Sequence, residues 1–153
     1  MNKLLRLGTA LLLGTAIYAN AVDNKDMTAD VVKAHVLKAK AFCDEKGVFT
    51  CIKEIGKKGG MFDQGDLYIW SNDFTGIITG HPKKPIAGKN LYRYKDKAGN
   101  QLFKNFIDKV KADGKGWVDY VWAHPTTKKQ TPKSSFVIGI GDNQLIGAGY
   151  YKK

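Results

Sequence analysis

The sequence predicts an α+β domain, and three observations carry that expectation. Apolar residues recur at helical spacing from Thr28 onward, five later segments alternate or run apolar in strand fashion, and turn residues separate those segments. The resulting order is a long helix, a hairpin, a crossover that contains a helix, and a three-stranded meander, so helices stand apart from a mostly antiparallel sheet.

The chain has 153 residues, which fits one domain. It opens with "MNKLLRLGTALLLGTAIYANA": Lys3 and Arg6 make a basic start, Leu7 to Tyr18 an apolar run, and Ala19-Asn20-Ala21 a small-x-small cleavage site. This reads as a signal peptide over residues 1–21, leaving residues 22–153 as a single exported domain, periplasmic in location. The apolar run is about 12 residues against the roughly 20 that cross a bilayer, and no later run is long enough, so the mature chain is not expected to span a membrane.

Within the mature chain, Val31, Val32, His35, Val36, Ala39, Phe42 and Cys43 form the apolar stripe of a helix that Thr28 or Asp26 can cap. Val48 to Gly56 is a second short helix carrying Phe49, Ile52 and Ile55. His35, on or beside the stripe with no ligand partner near it in sequence, reads as a packed histidine. "DLYIWSN" then places Leu67 and Ile69 on one strand face and Tyr68 and Trp70 on the other. "NDFTG" is the turn, and "GIITGHP" the return strand. A loose region with room for one helical turn follows. "LFKNFIDKVKADG" is amphipathic, with Leu102, Phe103, Phe106, Ile107 and Val110 on one stripe and Gly114 at its end. "GWVDYVW", "SSFVIGIG" and "QLIGAGYY" close the chain, with "GDN" as the last hairpin turn.

The net charge is +11, and removing Lys3 and Arg6 with the signal lowers it by two. That balance favours anionic partners, and export excludes nucleic acid as an ordinary one. A solvated basic surface is the plain alternative, since the lysines are scattered. Cys43 and Cys51 are the only cysteines, and in an oxidising compartment they are permitted to bridge. On one continuous helix their sulfurs would stand about 12 Å apart along the axis, too far to bond, but Gly47 can break the helix between them. The spacings of redox dithiols, haem attachment and metal-binding cysteines are absent, and no cofactor motif is present.

Four stretches, "GDLYIWSNDFTGIITGHP", "AGKNLYRYKDKAGNQLFKNFI", "GKGWVDYVWAHPTTKKQTPKSSFV" and "LIGAGYY", resemble the single Cache sensor domain in its type 2 form, in that family's order and spacing. The resemblance implies a PAS-like fold in which a long N-terminal helix packs on a five-stranded antiparallel sheet and the crossover encloses a pocket on its other side. It implies a receptor for a short organic acid or similar anion, serving signal transduction or chemotaxis, and no enzymatic activity. Relatives of this kind sit between two transmembrane helices of chemoreceptors or histidine kinases. This chain stops just after its last strand, so the expectation is a free periplasmic binding protein, with docking on a membrane chemoreceptor or histidine kinase as a route by which it could still act.

The residues themselves mark out a candidate site. In a strand, Val118, Tyr120 and Trp122 face one side, and Trp117, Asp119 and Val121 the other. Tyr120 and Trp122 offer flat walls with polar tips, and Tyr68 and Trp70 extend the wall if the first hairpin joins the same sheet. Lys133, placed by the resemblance at the start of the strand after Pro132, is the expected counter-ion for a carboxylate. His81 in "GHP" is a second donor, and Ser135 alternates onto the side of Lys133. From the residues alone, the aromatics serve as well for core packing, the lysine as a solvated one, and the His-Pro step as a turn. The competing function is an interaction module that docks a membrane sensor and has no ligand of its own. Nothing marks an enzyme: no nucleophile elbow, metal-ligand pair or acid-base carboxylate pair is found.

Overall fold

The computed structural model describes residues 21–152, so the signal peptide expected over residues 1–21 lies, but for its last residue, outside the described residues. The chain enters through a 3-10 turn at Asn24–Asp26 and forms α1 (Ala29–Lys46) and α2 (Val48–Ile55). Thr28, not Asp26, caps α1: its Oγ1 accepts the Val31 N–H at 3.2 Å. Gly47, at φ 82°, breaks the helical path, a conformation that costs an L side chain more than glycine. The bend removes the axial gap between the cysteines: Cys43 and Cys51 are disulfide-bonded, with Cα atoms 4.8 Å apart.

Two short strands, β1 (Asp63–Gln64) and β2 (Leu67–Tyr68), pair with each other. They lead into β3 (Trp70–Asp73) and β4 (Ile78–Gly80). The crossover carries α3 (Leu102–Asp113), which ends at left-handed Gly114, whose N–H donates to the Val110 carbonyl. The meander is β5 (Lys115–Ala123), β6 (Gln130–Ile140) and β7 (Gln144–Tyr151). The main sheet has five antiparallel strands in the order β4-β3-β7-β6-β5.

Alternation along these strands divides the core in two. On one face Val32, Val36, Ala39 and Cys43 of α1 pack against Phe136, Ile138, Ile140, Ile146 and Ala148, with Leu67 and Ile69. On the other, Leu102, Phe103, Phe106, Ile107 and Val110 of α3 pack against Trp70, Tyr120, Trp122, Val137, Leu145 and Tyr151. This is the arrangement the resemblance implies, with the long helix on one side and the crossover on the other.

Four expectations need correction. Val31 and Phe49 are exposed rather than core, at 39% and 82%, because α1 buries only the narrow stripe Val32, His35, Val36, Ala39 and Cys43, and α2 docks through buried Cys51 and Ile55 with Val48 and Ile52 packed beside them. The loose part of the crossover contains turns and no helix. β6 begins at Gln130, so Lys133 lies inside a strand instead of opening one. His35 is packed as expected, edge-on to Phe62 with ring centroids 6.0 Å apart.

Candidate ligand-binding site

Register places the candidate residues in a row. Tyr120 of β5 stands opposite Lys133 of β6, and Lys133 opposite Tyr151 of β7. Beside it, Val118, Ser135 and Gly149 form the next row on the same face. Because side chains in these rows share one face, the Lys133 stem is sandwiched between aromatic rings. Its Nζ lies 4.6 Å from the ring centroids of both Tyr68 and Tyr151, and donates to the Tyr68 hydroxyl at 3.2 Å. The side chain is 1% exposed, and among the described residues it makes no ion pair. Burial, with a smaller contribution from the charge of Lys84 and against the pull of Asp66, lowers its pKa to about 7.

Tyr68, Trp70, His81, Tyr120 and Trp122 line one wall of a space closed on the other side by Leu102, Phe103 and Phe106 of α3. Lys133 and Ser135 stand behind that wall rather than on it. Lys133 is reached through the Tyr68 hydroxyl and Ser135 through the Tyr120 hydroxyl, 2.9 Å from its Oγ. Trp70 presents its ring only, since its indole N–H donates to Asn72 Oδ1 at 3.1 Å. The ring lies across β7 at Gly147, where a Cβ would meet it at 2.5 Å. The space itself amounts to about 10 Å³, room for a single water.

His81 is buried beside Tyr68, with ring centroids 5.3 Å apart. Its Nδ1 accepts the N–H groups of Lys83 and Lys84, both at 3.1 Å, which leaves Nε2–H as the ring's donor. Burial first, then the neighbouring charges of Lys133 and Lys84, push its pKa down to about 3, so the ring is neutral.

The family model of the Cache domain matches residues 17–153. The chain belongs to the Cache domain family. Solved structures carry the same architecture. The periplasmic sensor domain of a chemotaxis protein is 26% identical at a TM-score of 0.64, over 81% of this chain and 90% of that one. A methyl-accepting chemotaxis protein from Vibrio parahaemolyticus is 25% identical at a TM-score of 0.66, over 80% of this chain and 86% of that one. A Cache chemosensory domain described for carboxylic acid recognition is 24% identical at a TM-score of 0.62, over 81% of this chain and 90% of that one, and bears on the fold alone.

This Cache domain is therefore of the sensor type. Among its described residues no helix is long and apolar enough to cross a membrane. Two residues around the site escaped the sequence reading. Tyr151 supplies the second ring under Lys133, and only the register of β6 with β7 brings it there. Asp96, in the loose crossover, accepts the N–H groups of Ala98 and Asn100, the Asn100 amide, and the Val121 N–H at 2.7 Å. Burial raises its pKa, but the hydrogen bonds from Asn100, Val121 and Ala98 outweigh that and hold it below the usual carboxylate range. The "KDKAGN" run was a signal for this Asx-type turn, though not for its grip on β5.

Proposed function

We propose that this Cache domain is an exported, free periplasmic sensor that binds a short organic acid between the sheet and α3, and reports it by docking on a membrane chemoreceptor or histidine kinase. The observation that carries the reading is the ammonium of Lys133, buried among phenol rings with a neutral hydroxyl as its hydrogen-bond acceptor and, among the described residues, no carboxylate paired to it. An uncompensated buried charge costs several kcal/mol, and an incoming carboxylate offsets that cost. In this reading Lys133 is the counter-ion, Tyr68, Tyr120, Ser135 and the Nε2–H of His81 supply hydrogen bonds, and Trp70 and Trp122 are the apolar walls.

A space of about 10 Å³ admits no metabolite, so binding requires the wall to open, with Tyr68 turning away from Lys133. The ligand then selects an open state over this closed one. The test is a thermal-shift screen of short carboxylates against the mature protein and against Lys133→Met. One or a few acids should raise the melting temperature of the first and leave the second unchanged. No shift with any acid at millimolar concentration sinks the reading.

The same closed interior favours the second reading, an interaction module that docks a membrane sensor without a ligand of its own. That reading requires a partner captured in the absence of metabolite and released by high salt, because exposed charges are screened.

A further inference from the structure

A basic cleft adjoins the closed space, and the reading above does not use it. Two His-Pro steps follow the edge strands of the sheet, His81-Pro82 after β4 and His124-Pro125 after β5. Each histidine closes its turn in the same manner. The Nδ1 of His81 accepts the Lys83 and Lys84 N–H groups, and the Nδ1 of His124 accepts those of Thr126 at 3.1 Å and Thr127 at 3.4 Å. The turns face one another across a cleft of about 290 Å³ that shares Tyr68 with the inner space. Lys83 and Lys84 enter the cleft from the first turn and Lys128 from the second.

These lysines are unequally committed. Lys83 is paired to Asp63 at 2.5 Å. Lys84 and Lys128 make no ion pair among the described residues. The ammonium of half-buried Lys84 lies 4.2 Å from the ring centroid of Trp122, one wall of the inner space. Lys128 holds a left-handed backbone, φ 62°, the sole non-glycine residue to do so among those described. Glycine or asparagine would take that conformation at less cost, and the Lys128 ammonium donates to the Pro125 carbonyl of the same turn. Lys84 and Lys128 line the cleft together with Tyr68, whose hydroxyl accepts from Lys133 behind it, and the charges of Lys133, Lys84 and Lys128 act on one another in sequence.

We propose that the ligand is a short dicarboxylate whose inner carboxylate meets Lys133 and whose outer carboxylate is held in the cleft by Lys84 and Lys128. This rests on the reading of Lys133 as a carboxylate counter-ion. A single carboxylate answers Lys133 and leaves the outer pair repelling; a second one answers them too. The outer carboxylate also draws Lys84 off the face of Trp122, freeing a wall that must move before the interior can admit anything.

Isothermal titration at low salt compares butanedioate with butanoate and pentanedioate with pentanoate on the mature protein. At least one diacid should bind about fivefold or more tightly than its matched monoacid, the upper end of what one partly screened charge contact contributes. In the Lys84→Gln/Lys128→Gln double variant, with its melting transition intact, that preference should fall to about one. Equal affinities in the unaltered protein, or a preference that survives the double variant, overturn the proposal. Binding of monoacids alone overturns the dicarboxylate while leaving Lys133 in its role, whereas binding of neither class overturns both readings.

Discussion

Lys133 concentrates the chemistry of the molecule in one ionisable group. Its folded pKa of about 7 lies below the roughly 10.4 of an exposed lysine, so the folded protein disfavours the charged form. The cost to stability is complete below about pH 7 and is relieved between about 7 and 10, where unfolding free energy rises by about 1.4 kcal/mol per pH unit from this group. Lys133→Met, which keeps the stem volume and drops the charge, should therefore melt higher than the unaltered protein at pH 6 and lose that advantage near pH 10. Melting curves across this range check it, and a variant less stable at pH 6 contradicts it. Under the proposed function, carboxylate binding has the opposite pH dependence. Binding needs the ammonium form, so above about pH 7 it takes up a proton and apparent affinity should fall about tenfold per pH unit. Titration in buffers of different ionisation enthalpy reads that uptake directly.

Between elements, two ties hold the site in shape. Asp96 fastens the crossover to β5 through the Val121 N–H, on the edge that β6 leaves open. Asp96→Ala leaves several backbone donors unmet and should cost roughly 2–4 kcal/mol. Hydrogen exchange should show the Val121 amide losing protection before the β6–β7 ladder does. The stabilisation from Asp96 is present above the ordinary carboxylate pKa of about 4 and is lost as pH falls through its lower folded value. The second tie is the Cys43–Cys51 bond, which closes a small loop across the α1–α2 bend. In the chain-entropy account a loop of this length contributes about 2–3 kcal/mol. The Cys43→Ala/Cys51→Ala variant should lose about that much in denaturant melts, and an unchanged midpoint would show the bond to be dispensable.

At the scale of the whole molecule, the two ends of the described chain meet beside the site. Asn24 donates its side-chain amide to the Tyr151 carbonyl at 3.1 Å and accepts the Tyr151 N–H at 2.8 Å. The Tyr151 hydroxyl in turn donates to the Ala123 carbonyl at 3.1 Å, so this ring under Lys133 is held from both sides. Asn24→Ala should lower stability by roughly 1–3 kcal/mol. Under the proposed function it should also weaken ligand binding, because the ring that frames the ammonium loosens, and calorimetry on the folded variant separates the two effects. Both cores share one sheet, with Phe136 on the α1 side and Val137 on the α3 side of the same strand.

The α+β order, the two-faced strands and the aromatic wall were legible in the residues, because period-2 and period-3.6 patterns report which face each side chain takes. Tyr120 and Trp122 share a face with Val118, and Leu67 with Ile69, for that reason alone. What lay beyond reach depended on which strands become neighbours. Tyr151 lies far from Lys133 in sequence and touches it through register, Val31 and Phe49 have apolar side chains but find no surface to meet, and Asp96 grips a strand it does not adjoin in the chain. The burial of Lys133 belongs to the same class: a lysine is solvated unless three strands and a second tyrosine enclose it. Local pattern sets the direction of a side chain, whereas its environment is set by long-range pairing, and the electrostatics of this site follow from the environment.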